Sequence, residues 1–145
     1  MLKIRLSTWL AAAVALVAAA ALVTNAAALT ITTASITFTG VTLDSTDQTV
    51  NGSTSAWRAD ATGEAGGWNV TVASTGFDNG AGKTIAVTNF EIRLPDADIV
   101  LVSGDTNKPT STQTTFASLS GTALMIASAA SGEGDGVYDL TPGFQ

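Results

Sequence analysis

Trp57-Arg58-Ala59-Asp60-Ala61-Thr62-Gly63-Glu64-Ala65-Gly66-Gly67-Trp68-Asn69-Val70-Thr71-Val72 sets two tryptophans on either side of a glycine-rich turn. Trp68, Val70 and Val72 alternate with Asn69, Thr71 and Ala73, the two-residue period of a half-buried strand with its large apolar groups on one face. Gly63 and Gly66-Gly67 let the chain reverse, which places Trp57 on a neighbouring antiparallel strand.

The same short runs recur from Leu29 onward. Stretches rich in Thr, Val, Ile and aromatic residues are separated by Gly, Asp, Asn and Ser clusters, and none holds a helical apolar period. Candidate strands are 29–33, 35–43, 55–60, 68–74, 83–94, 99–102, 113–119, 122–128 and 137–141, with turn residues between them. Nine short strands at this spacing predict an all-β, single-domain antiparallel β-sandwich, with a barrel as the other closure. In the longest run, Ile85 and Val87 point one way while Phe90, Ile92 and Leu94 point the other, so a bulge is expected near Thr88-Asn89 with Arg93 facing outward.

The stretch from Trp57 to Val72 resembles the WxL family of bacterial surface domains. Trp68-Asn69-Val70 stands at that family's Trp-x-Leu motif with Val in place of Leu, and Tyr138-Asp139-Leu140 is similar to its second, Tyr-x-Leu, motif. The resemblance covers residues 29–145 and implies a β-rich module held non-covalently at the outer face of a cell wall. Trp68, Val70, Tyr138 and Leu140 are then the motif positions. After Leu140 the turn signal Thr141-Pro142-Gly143 leads into Phe144-Gln145, which looks like the opening of another strand; the chain thus resembles a WxL domain lacking its last strand or strands.

The head of the chain, residues 1–28, reads as a secretory signal peptide. Lys3 and Arg5 precede an uncharged apolar stretch from Trp9 to Val23, and Ala26 and Ala28 suit the small-residue positions before a cut at Leu29. Fifteen apolar residues fall short of the roughly 20 that span a bilayer. No second apolar run follows, so a secreted domain at 29–145 without a membrane span is expected. Removing residues 1–28 leaves four basic against twelve acidic groups, a net charge of −8. That sign repels phosphate backbones and argues against a nucleic-acid partner.

The sequence has no cysteine and no histidine. No disulfide can brace the fold, and catalysis built on Ser-His-Asp or Cys-His pairs, imidazole zinc sites and proximal-His haem are excluded by inventory. Asp60, Glu64, Glu91, Asp96, Asp98, Glu133 and Asp135 could supply a glycosidase pair, or calcium ligands at 132–136 and 95–98, but most stand where turns favour acids for local backbone bonding. No catalytic residue, cofactor or metal is therefore assigned.

Two readings stand open for the aromatic residues: core packing, or a sugar-stacking platform. The alternation turns Trp68 inward, whereas Trp57, beside Arg58 and Asp60, is the candidate for the platform. The expectation is a secreted, non-enzymatic surface protein that binds peptidoglycan or another envelope polysaccharide. The rival is a structural subunit of an extracellular fibre or surface layer, joining other surface proteins or itself through an open sheet edge.

Overall fold

The computed structural model describes residues 29–40, 42, 46–78 and 80–145; the signal peptide expected at 1–28 lies outside them. The chain is all-β, with antiparallel sheets packed around one core in a sandwich-like arrangement. Its strands are β1 (Thr30–Thr32), β2 (Ile36–Phe38), β3 (Gly52–Thr54), β4 (Trp57–Asp60), β5 (Trp68–Val72), β6 (Phe77–Asp78), β7 (Thr84–Ile85), β8 (Glu91–Arg93), β9 (Ile99–Gly104), β10 (Thr110–Ser111), β11 (Ala117–Ser118), β12 (Leu124–Ala129), β13 (Gly136–Leu140) and β14 (Gly143–Phe144). No helix among the described residues is long and apolar enough to cross a membrane.

Among the described residues four sheets form, ordered β1-β4-β13-β9, β10-β12-β5, β11-β8-β14-β3-β2 and β6-β7. Alternation decides what each strand buries. In β4, Trp57 and Ala59 are buried and Arg58 and Asp60 exposed; in β5, Trp68 and Val70 are buried and Asn69 and Thr71 exposed. In β13, Tyr138 and Leu140 are fully buried, while Asp139 on the outer face meets Arg58 across the strand pair.

The antiparallel pairing expected between the Trp57 and Trp68 strands does not occur. β4 pairs with β1 and β13, and β5 pairs with β12, so the glycine turn carries the chain from one sheet to another. Partners distant in sequence decide this: Ala59 is matched with Tyr138 and Trp68 with Ala129, so each tryptophan strand joins the sheet of its own partner.

The bulge expected near Thr88-Asn89 is replaced by a 3-10 turn at Val87–Asn89, which divides the run into β7 and β8. A bulge would turn both apolar sets inward, and only part of that occurs: Phe90, Ile92 and Leu94 are buried and Val87 packs against the core half-buried, but Ile85 is exposed; Arg93 points outward over the Phe116 ring at 4.6 Å. Register shifts occur instead in β12, between Met125 and Ala127, and where Val137 and Tyr138 meet β9.

At the far end of that pairing Gly136 and Gly104 are register partners, both at positive φ. A Cβ on either would run into the facing backbone. Glycine here permits the close approach of β9 to β13.

The open seam expected where a strand only begins at Phe144 is not found there: residues 143–144 form β14, in the middle of its sheet. It pairs with β3 on one side and β8 on the other, and the Phe144 ring is 1% exposed. Gln145 exchanges backbone bonds with Glu91, N–H to carbonyl in both directions, at 2.8 and 3.1 Å.

Candidate functional site

The structure brings the motif residues together as core. Trp68 and Tyr138 pack with ring centroids 6.1 Å apart, and Val70 and Leu140 join the same buried cluster. The Trp68 indole donates to the Gly134 carbonyl at 3.0 Å, and the Tyr138 hydroxyl donates to the Asp105 carbonyl at 2.8 Å. Burial pushes the Tyr138 phenol above its ordinary pKa, and the Asp105 and Asp135 charges push the same way.

The platform expected at Trp57 is corrected by its burial. Trp57 is 6% exposed and packs on Phe144 at 5.9 Å between centroids. Arg58 and Asp60, read as signs of exposure, are the outer half of an alternation whose inner half is Trp57 and Ala59.

The acids serve turns and strand pairs. Asp135 Oδ1 accepts the Gly63 N–H and Asp96 Oδ1 accepts the Ser111 N–H, each at 2.6 Å. Hydrogen bonds from Thr62 hold the Asp60 carboxyl below the usual carboxylate range. Arg58 grips Asp139 with two bonds of 2.9 and 3.1 Å, and that hydrogen bonding lowers the Asp139 pKa. Among the described residues no group of three or more acidic side chains is placed to share a metal ion.

An exposed aromatic surface lies elsewhere, at residues that the sequence pattern did not single out. From Trp57 the aromatic contacts run outward: Phe144 stacks on Phe90 with centroids 5.4 Å apart, and Phe90 meets Phe38 and Phe77 edge to face at 5.7 and 5.1 Å. Phe38 and Phe77 are 41% and 42% exposed. They come from β2, the edge of the five-stranded sheet, and from the β6–β7 hairpin, and Phe90 forms the floor between them.

These rings line an open cleft of about 530 Å³, within the usual range of small-ligand sites. Its other walls are Thr39, Gln48, Val50, Ile85, Asn89 and Gln145. No charged side chain lines it among the described residues. Three amides and a hydroxyl surround the apolar rings, the mixture that accepts a neutral ligand with apolar faces and polar edges. One signal for it was present in the sequence: Ile36-Thr37-Phe38 alternates as a strand, with Phe38 at its end. Phe77 lay inside a glycine-rich stretch read only as a turn.

Comparison with known proteins finds no family model, no curated protein and no solved structure that matches the chain.

Proposed function

We propose that this chain is a secreted, non-enzymatic surface domain that associates non-covalently with cell-wall polysaccharide, and that the Phe38–Phe77 cleft makes the contact. The observation that carries the reading is the pair of exposed rings in a cleft that amides rim and that no charged side chain lines among the described residues. The C–H faces of a sugar stack on aromatic rings, and its hydroxyls exchange hydrogen bonds with amide groups. The Trp-x-Val and Tyr-x-Leu motifs and the signal-like head of the sequence support the same reading.

An acidic protein is repelled by anionic wall polymers, so a neutral cleft is suited to the uncharged glycan portion of the wall. The test is co-sedimentation of the purified protein with peptidoglycan sacculi stripped of anionic polymers. The protein should pellet with the sacculi, and soluble glycan-strand fragments should release it. A protein that stays in the supernatant at every sacculus concentration overturns the proposal.

A further inference from the structure

Seven large apolar side chains are exposed among the described residues, and all but Met125 fall into two groups. Phe38, Phe77 and Ile85 line the cleft. Ile31, Val100 and Val102 lie on β1 and β9, the two outer strands of the four-stranded sheet. The second group is independent of the wall-binding reading, since it shares no residue with the cleft.

Among the described residues neither edge carries the usual protection. β1 reads Thr30-Ile31-Thr32 and β9 reads Ile99-Val100-Leu101-Val102-Ser103-Gly104, with no charge and no proline in either. Natural edges are ordinarily blunted by lysine, proline or cover from a loop. Here Lys108 reaches only the start of β9, where its ammonium donates to the carbonyls of Asp96 and Ile99 at 3.0 and 2.8 Å. The register shift beside Val102 limits the other end. The uncharged stretch left between them is about the length of β1.

The two edges also match in direction and face. Each pair in the order β1-β4-β13-β9 is antiparallel, so with four strands β1 and β9 run in opposite directions. A second copy shifted sideways would place its β1 antiparallel to the β9 of the first. Ile31 pairs with Ala59 and Leu101 pairs with Tyr138, and both partners are fully buried, so Ile31 and Leu101 share the inner face of the sheet. Thr30, Thr32 and Val100 share the outer face with Arg58, Asp60 and Asp139. Continuing the sheet brings apolar beside apolar inside, and β-branched beside β-branched outside.

We propose that a second copy of this chain extends the four-stranded sheet, β9 of one molecule beside β1 of the next, so that copies add head to tail. Such a contact does not close on itself, and the product is an open chain of subunits. Main-chain bonds carry the joint, as in other strand-addition complexes. The acidic charge of each copy opposes it, so added salt strengthens it.

Sedimentation velocity over a wide range of protein concentration and salt tests the proposal, with Ile31→Lys and Val100→Lys as edge variants. Both positions are exposed, and circular dichroism spectra matching wild type would show that the variants fold. Wild type should form dimers, trimers and longer species that grow with concentration and with salt, and each variant alone should stay monomeric. An equimolar mixture of the two variants retains one intact joint and should stop at the heterodimer. A wild type that is monomeric throughout, one that stops at a dimer, or an Ile31→Lys variant that assembles like wild type would each overturn the proposal.

Discussion

Trp68 and Tyr138, far apart in sequence, meet in the core with their rings tilted by 45° and their centroids 6.1 Å apart. One belongs to the β10-β12-β5 sheet and the other to the β1-β4-β13-β9 sheet, so this contact joins two layers. Each also reaches a backbone carbonyl: the indole that of Gly134, just before β13, and the hydroxyl that of Asp105, just after β9, whose own N–H bonds the Asp135 carbonyl. The motif residues therefore hold the fold.

Truncating either buried tryptophan should cost about 3–5 kcal/mol, a large part of the stability of a domain this size. Trp68→Ala and Trp57→Ala should both shift the urea midpoint strongly. The two separate when cut back only to phenylalanine. Trp68→Phe loses the bond to Gly134 and leaves a buried carbonyl unpaired, whereas the Trp57 Nε1 has no hydrogen-bond partner among the described residues. Trp68→Phe should thus be the more costly by about 1 kcal/mol. A Trp57→Ala protein with a wild-type urea midpoint would place that ring on the surface.

Gly136→Ala should be severely destabilising. Its φ of 156° is one that L side chains rarely adopt, and the new methyl would meet Ser103 O and the Gly104 Cα, both backbone atoms that cannot rotate away. Backbone strain of this kind costs about 1–3 kcal/mol before any strand shift is added. Gly121→Ala supplies the contrast, because nothing lies within 4 Å of its added methyl. Thermal melts should show a large loss for the first and a change within about 0.5 kcal/mol for the second.

Alkaline pH should weaken the fold through Tyr138. Burial raises its folded pKa above the unfolded value of about 10. A raised folded pKa gives stability that is fully present below the unfolded value and is lost as pH climbs through the folded one. Melting temperatures of wild type should fall above about pH 10, and Tyr138→Phe should fall less steeply over the same range. At neutral pH the variant should pay about 1 kcal/mol for the lost bond to Asp105. Identical alkaline slopes for the two proteins would assign the transition to other groups.

The fold class was legible because alternation is local. Trp68-Asn69-Val70 and Tyr138-Asp139-Leu140 each announce which side chains turn inward, and the structure buries those residues. Sheet membership was not legible in the same way, since β4 and β5 are joined by a turn that would equally serve a hairpin. Their separation into two sheets depends on partners distant in sequence, β13 for one and β12 for the other. β14 was legible only as the opening of a strand, because two residues show no period that would tell where it pairs. The cleft had the same difficulty threefold: Phe38, Phe77 and Phe90 come from three separate segments, and Phe77 stands in a two-residue strand between glycines.

The cleft itself separates binding from stability. Phe38 and Phe77 keep two-fifths of their surface exposed, so Phe38→Ala or Phe77→Ala should alter thermal melts little. Phe90 is different, since it is 8% exposed and stacks within 9° of parallel on Phe144; Phe90→Ala should cost about 3–5 kcal/mol. If the outer rings stack on sugar, each contributes about 0.5–1.5 kcal/mol beyond buried area, or roughly two- to tenfold in affinity. The Phe38→Ala/Phe77→Ala double variant should therefore retain its fold while its affinity for sacculi falls by roughly four- to a hundredfold, the product of the two single losses. Co-sedimentation isotherms beside thermal melts read both quantities on the same preparations. A double variant that pellets with sacculi like wild type would show that the wall is bound by a different face of the domain.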